Sequence, residues 1–215
     1  MKNKILVIGY GDIAKRLNYQ LDDSTYEIYG ISRQENSTSN FISWDWLSSD
    51  LPRLENKEYH SIVFIPKPSD TDQAGYNDGF INSSTNVFNL CKTISFKNFI
   101  TISSTRIYGE KETKLVSEKD FNPNEFRGRT ILQYEESQIK RYAEKLIILR
   151  LSGLYDSKSE IKPKNHLHRE NAAKIIKFFI ENDLNYTSHQ IFNCCEDDSI
   201  NISNERLKKT GFIFD

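Results

Sequence analysis

The sequence predicts an α/β domain with a doubly wound parallel sheet, and three observations carry that prediction. Short runs rich in Ile, Val, Leu and Phe recur over about the first 150 residues, as expected of strands buried on both faces. Stretches of helical period separate these runs and are long enough to be crossovers between parallel strands. The first run, Ile5-Leu6-Val7-Ile8, passes directly into Gly9-Tyr10-Gly11 and then into a helical pattern.

Strands are expected at residues 4–8, 26–31, 41–44, 61–65, 98–103 and 145–151, the third of them weak. Helices are expected over 12–21, 74–93 and 128–143. The second of these places Phe80, Ile81, Ser84, Val87, Phe88 and Cys91 on one stripe that would pack on the sheet. Beyond this region the pattern predicts a helix over 165–182 after a polar lead-in, a strand at 190–194 and a short helix over 203–210. Residues 156–164 are the most loop-like stretch, expected to form the mobile edge of a binding cleft.

Composition narrows the function. The 215 residues carry 29 Lys+Arg against 30 Asp+Glu with no basic stripe, so nucleic acid is a poor candidate partner. The N-terminus enters its first strand without an apolar signal core, and no window approaches the roughly 18 apolar residues of a membrane span. A cytoplasmic location is therefore expected. Cys91, Cys194 and Cys195 form an odd set without spaced pairs, which argues against a disulfide framework. Cys194 and Cys195 are adjacent on a strand and should point to opposite faces as small apolar fillers, with a vicinal disulfide or metal site as the minor alternative. His166 and His168 have alternate spacing but no carboxylate or thiol cluster of ligand spacing nearby, so no metal is expected.

The strongest local signal is Gly9-Tyr10-Gly11-Asp12-Ile13-Ala14, a G-x-G-x-x-A turn between strand and helix. Gly9 permits the tight turn, Gly11 allows close approach of a pyrophosphate, and Ala14 lets the helix pack closely on the strand. The helix N-terminus adds free N–H groups, at Asp12 and Ile13 among others, and a positive dipole. This is the dinucleotide site of a Rossmann-type fold. NAD binding would place a carboxylate at the end of the second strand. Here that strand ends Gly30-Ile31-Ser32-Arg33, with no carboxylate before Glu35. Ser32 and Arg33 are suited to a 2′-phosphate, the arginine through a charge-assisted fork, so NADP(H) is favoured and NAD is the alternative. Asp45, after the weak third strand, is placed to meet the adenine. Lys67 and Ser103 follow or end the fourth and fifth strands, at the edge where ligands bind in open α/β sheets.

Further motifs follow in order. Asn77…Asn86-Val87 lies on the helix before the fifth strand, and that strand ends Ser103-Ser104-Thr105-Arg106-Ile107-Tyr108-Gly109; later come Leu149-Arg150-Leu151-Ser152-Gly153-Leu154-Tyr155, Asn165-His166-Leu167-His168-Arg169-Glu170-Asn171-Ala172-Ala173, Gln190-Ile191-Phe192-Asn193, and Ser203-Asn204 through Gly211-Phe212. Over nearly its whole length the chain resembles the extended short-chain dehydrogenase/reductases, the NAD(P)-dependent sugar-nucleotide epimerases and dehydratases. The resemblance implies that Ser104 orients a substrate oxygen. A Tyr-x-x-x-Lys pair should follow, the Tyr transferring a proton and the Lys lowering its pKa. Counted back from Glu135, which resembles the family's helix glutamate, those slots hold Arg127 and Ile131. Tyr134 is followed four residues later by Gln138 and does not supply the pair. Phe126-Arg127-Gly128-Arg129-Thr130-Ile131-Leu132 instead resembles an atypical branch of the family, which leaves Tyr108 or Arg129 to assist Ser104.

The chain also departs in size. Only nine residues separate Tyr155 from Asn165, and nine separate Asn193 from Ser203, so the substrate lobe is reduced. The expected organisation is a dinucleotide-binding segment, 1–155, and a reduced, sheet-completing lobe, 156–215, forming one continuous domain. The implied ligands are a dinucleotide and a small carbonyl or sugar-derived substrate, and family precedent implies a homodimer. A non-catalytic NADP(H)-binding sensor or partner subunit is the alternative.

Overall fold

The computed structural model describes residues 1–33, 40–48, 50–109, 114–182 and 186–214. Glu35, the first carboxylate after the second strand, lies outside them. In chain order the elements are β1 (Asn3–Ile8), α1 (Asp12–Gln20), β2 (Tyr26–Ser32), β3 (Phe41–Ser43), β4 (Glu58–Phe64), α2 (Gln73–Tyr76), a π-helical stretch (Asn77–Asn82), α3 (Ser83–Cys91) and β5 (Ser95–Ser104). A 3-10 turn (Thr105–Tyr108) precedes α4 (Phe126–Tyr142), β6 (Leu146–Leu151), β7 (Gly153–Tyr155), β8 (His166–His168), α5 (Arg169–Glu181), β9 (Gln190–Cys194) and α6 (Glu205–Lys208).

Seven strands form one sheet in the order β3-β2-β1-β4-β5-β6-β9, every pairing parallel. This is the expected Rossmann-like α/β architecture. Alternation along β1 explains its two layers. Ile5 and Val7 face a core with Ile13, Leu17, Ile100, Leu149, Ile176 and Phe179, under α1 and α5. Leu6 and Ile8 face the other core, with Ile62, Phe64, Val87, Leu90, Ile131 and Tyr134, under α3 and α4. All six residues of β6 are buried, including the charged Arg150. The chain leaves β1 for β2 and β3 on one side and returns to β4 on the other, which puts the topological switch between β1 and β4.

Two helical expectations change. The helix expected over 74–93 is divided by the wider π-turn at Asn77–Asn82. The loop after β4 presses on this helix: a Cβ at Gly75 would lie 2.4 Å from Asp70 N, and one at Gly79 would lie 2.4 Å from Lys67 O. The helix expected from residue 165 begins at Arg169, because His166–His168 is β8, paired in parallel with Gly153–Tyr155. That partner lies thirteen residues earlier in register, so helical periodicity after the turn could not announce it. Cys194 and Cys195 do face opposite sides of the sheet, one in each core.

Gly9 closes the first turn with φ +94°, and a Cβ there would lie 2.3 Å from the carbonyl oxygen of Ile65. Backbone opposes backbone, so no side-chain rearrangement relieves the clash. Gly9→Ala is expected to lower stability by about 2 kcal/mol or more, read as a shift of the urea midpoint; an unchanged midpoint contradicts this reading.

Candidate functional site

Gly9 and Tyr10 donate their amides to the carbonyl of Ile31, at 3.0 Å each, which hangs the turn on the end of β2. Gly11 is the N-cap of α1, and no side chain caps that helix. The first helical hydrogen bond runs from Lys15 N to Gly11 O, leaving the amides around Asp12 and Ile13 at the mouth of the helix. A Cβ built on Gly11 meets no atom of the described residues within 4 Å, and its φ of −107° is open to any residue. Gly9 is thus demanded by the protein itself, whereas Gly11 faces open space. Ala14 is fully buried, as close helix–strand packing requires. The Asp12 carboxylate is held by Arg16 at 3.1 Å and Arg169 at 3.0 Å, so two cations offset its charge beside the turn.

The residues expected around the adenosine end lie together past β2 and β3. Ser32 ends β2 in register with Ser43, and Arg33 is exposed one residue on. The Arg33 guanidinium lies over the Trp46 ring, 5.4 Å from its centroid. Asp45 is exposed, and its carboxylate accepts the Leu47 amide at 3.1 Å, bracing the turn after β3.

At the carboxyl ends of β4, β5 and β6 lies a cleft of about 500 Å³. Pro66, Pro68, Tyr76, Phe80 and Ile131 form an apolar wall, while Ser103, Ser104, Ser152, Asn165 and Asn201 supply polar groups. Lys67 stands at this edge between the two prolines with its side chain exposed. Ser104 Oγ accepts the Arg106 amide at 3.3 Å and caps the 3-10 turn, leaving its own hydrogen to donate. Ser103 Oγ instead donates to Glu135 Oε1 at 2.5 Å, which leaves it only as an acceptor toward a ligand.

Beneath the cleft a buried polar network takes in Tyr108, expected to assist Ser104, and joins it to Arg150, Glu135, Glu118 and Asn193. Arg150 is 2% exposed and Glu135 1%. Arg150 donates through Nε and Nη2 to the Glu135 carboxylate, at 2.9 and 2.7 Å, and through Nη1 to Tyr108 OH at 2.8 Å and Glu118 O at 2.9 Å. Burial works against the guanidinium charge, yet the hydrogen bonds and charge of Glu135 outweigh it and hold the Arg150 pKa above its ordinary value. Tyr108 OH in turn donates to Asn193 Oδ1 at 2.5 Å, and the Asn193 amide donates to Glu118 Oε1 at 2.9 Å. Burial pushes the Tyr108 phenol up to about 12, against the pull of Arg150 and Asn193. The signal for this network was a lone Arg in the apolar run Leu146–Leu151 and a lone Asn in β9; both demand buried partners.

Arg129 is exposed on α4 and does not line the cleft. Arg127, in the position where the family resemblance puts Tyr, donates to Thr71 O at 3.3 Å and lies against the Tyr76 and Phe126 rings. Ile131, in the Lys position, is a buried apolar residue of the cleft wall. Folding brings Glu196 and Asp198 to His166, whose Nε2 is 2.7 Å from Asp198 and whose Nδ1 meets Pro163 O at 2.8 Å. Lys162 completes this group 2.9 Å from Asp198, and the ammonium and imidazole hold the Asp198 carboxyl down at about 2. Burial pushes the Cys91 and Cys195 thiols up to about 12 and raises the Cys194 thiol well above its ordinary value, so thiolate chemistry is disfavoured at all three.

Replacing Arg150 by Leu leaves Glu135 buried without its counter-ion. Equilibrium unfolding of Arg150→Leu should show a loss of about 3–5 kcal/mol, and a loss below ~1 kcal/mol would mean that water or another group replaces the arginine.

No protein-family model matches the chain, and no curated protein matches it in sequence. Solved structures do resemble it. A UDP-N-acetylglucosamine 4-epimerase from Bacillus cereus superposes with a TM-score of 0.78 at 15% identity, over 100% of this chain and 92% of the other. A provisionally named NAD-dependent epimerase/dehydratase from Methylobacillus flagellatus gives 0.75 at 18% identity, over 100% of this chain and 93% of the other. A UDP-glucuronic acid 4-epimerase from Bacillus cereus, solved in complex with NAD, gives 0.73 at 20% identity over 90% and 77%. No helix among the described residues is long and apolar enough to cross a membrane. At these identities the likeness is one of fold: the chain has the Rossmann-like fold of the epimerases and dehydratases that it superposes on.

Proposed function

We propose that the chain is an NADP(H)-binding protein of the epimerase/dehydratase type, with the pyrophosphate over Gly9–Gly11 and a small carbonyl or sugar-derived substrate in the adjoining cleft. The observation that carries this reading is the open space at Gly11, in front of an uncapped helix N-terminus at the switch between β1 and β4. No described residue packs so as to require glycine there, whereas a close-approaching phosphate does. The residues present fit the group. Backbone amides near Asp12 and Ile13 take the pyrophosphate, Ser32 and Arg33 the 2′-phosphate, Asp45 the adenine, and Ser103 and Lys67 the nicotinamide side. Segments 1–155 and 156–215 are read as one domain, a reading that the pairing of β9 with β6 supports. The epimerases of similar fold give the reading its reaction class.

A bound nicotinamide would supply or accept hydride at this edge. Ser104 then donates its free hydroxyl hydrogen to a substrate oxygen, and Ser103, its hydrogen committed to Glu135, accepts from an amide or hydroxyl of the ligand. A second reading, binding without turnover, is favoured by a specific observation. Tyr108 OH is engaged by Arg150 and Asn193, Arg129 lies off the cleft, and Ile131 carries no charge, so none of the three stands as a Tyr-Lys pair would.

Calorimetric titration of the full chain with NADPH and NADH tests binding. NADPH should bind in the micromolar range, roughly −8 kcal/mol, and more tightly than NADH. Gly11→Val should abolish binding without moving the unfolding midpoint, and Arg33→Ala should weaken NADPH about tenfold or more while sparing NADH. Binding of neither nucleotide would overturn the proposal; equal affinity would overturn the preference for NADP(H). Turnover of NADPH with a panel of small carbonyls and nucleotide sugars, abolished in Ser104→Ala, is the expected result for an enzyme. Intact binding with no turnover selects the second reading.

A further inference from the structure

We infer that Trp46 is a specificity-determining positioning residue, its indole face holding the Arg33 guanidinium ready for the 2′-phosphate of NADP(H). The inference rests on the dinucleotide reading above and adds to it the device that sets nucleotide choice. An exposed arginine samples many rotamers, and clamping it on a phosphate costs most of that freedom unless it is already held. Arg33 is held. Its Cζ is 5.4 Å from the Trp46 ring centroid, within range of a cation–π contact. A cation–π contact takes none of the guanidinium's N–H groups as a hydrogen-bond donor to an oxygen, so they remain to fork onto a phosphate. No described carboxylate forms a salt bridge with Arg33 to compete for that edge.

Trp46 is itself fixed. It is 7% exposed, and Asn86 of α3 donates Nδ2 to the carbonyls of Trp46 at 2.9 Å and Ser48 at 3.1 Å. Two residues earlier, the Trp44 amide donates to Ser32 O at 2.9 Å, and the Trp44 indole donates to Asp50 O at 2.7 Å. The segment after β3 is therefore tied both to the end of β2, where Ser32 and Arg33 stand, and to α3. Arg33 is poised because a buried ring, pinned from a neighbouring helix, lies under it. A group held in advance lowers the ordering cost of binding, and only a ligand carrying the extra phosphate gains from it.

The test is a titration of the wild-type chain, Trp46→Leu and Trp46→Phe with NADPH and with NADH. Trp46→Leu should weaken NADPH about three- to fivefold, the scale of an exposed cation–π contact, with NADH changed less than about twofold on the same scale. Trp46→Phe should recover most of the preference. An unchanged NADPH-to-NADH ratio in Trp46→Leu overturns the inference while leaving the dinucleotide reading intact. Equal weakening of both nucleotides overturns it too, by showing a merely structural role. Wild-type protein that binds neither nucleotide overturns the inference together with the reading beneath it; wild-type protein that binds both equally overturns the inference and the preference for NADP(H). Should circular dichroism show Trp46→Leu unfolded, Asn86→Ala, which removes the pin and keeps the ring, should lower the same ratio; no change there overturns the inference.

Discussion

The pair formed by Arg150 and Glu135 is the interaction on which the carboxyl edge of the sheet depends. A guanidinium in the middle of an otherwise apolar strand is tolerated only because Glu135 takes two of its nitrogens, with Tyr108 and the Glu118 carbonyl at the third. Those bonds reach five places in the chain: β6, α4, the turn after β5, the segment at Glu118, and, through Tyr108, Asn193 on β9. A buried ion pair of this kind adds little stability compared with an apolar filling of the same volume, yet removing one partner is costly. Its geometric effect is direct. Glu135 also receives the Ser103 hydroxyl hydrogen, so the same carboxylate that neutralises Arg150 decides how Ser103 addresses the cleft.

The two halves of the proposed site are built differently. At the glycine turn the ligand-facing groups are backbone amides, and the residue types serve to let backbone come close. Gly9 is required by Ile65 and by its own positive φ, and Gly11 by none of the described residues. In the cleft the groups are side chains, and their hydrogen-bonding sense is set by partners elsewhere. Ser103 and Ser104 are neighbours in sequence, but one has given its hydrogen to a buried carboxylate and the other accepts from a backbone amide. Adjacent hydroxyls thereby become one acceptor and one donor. Tyr108 illustrates the same constraint from the other side. Its ring borders the cleft while its hydroxyl is absorbed into the network, with the phenol pushed up by burial.

Local pattern was most reliable where an element's burial depends on its own sequence. The apolar runs of β1, β5 and β6 are buried on both faces, so their composition alone marks them, and the glycine turn is legible because Gly9 and Ala14 answer steric needs within a few residues. Pattern failed where the partner lies elsewhere in the chain. His166–His168 carries a helix-like lead-in but is recruited as a strand by Gly153–Tyr155. The segment around Gly75 and Gly79 has continuous helical period, yet a loop from the end of β4 lies directly against it and a π-turn interrupts it. Sequence spacing hides the carboxylates that meet His166, because Glu196 and Asp198 are about thirty residues away.

The sequence by itself determined the layered architecture, the strand that opens it and the backbone cradle that follows, because hydrophobic period and glycine placement act over distances shorter than one element. Tertiary structure decided which side chains meet at the carboxyl edge: that Arg150 finds Glu135, that Trp46 lies under Arg33, and that Tyr108 turns inward to Asn193. A buried charge or polar atom must be satisfied, but sequence states only the need. The partner is whichever group the parallel crossovers carry to the same end of the sheet, and that is known only once the strands are in register.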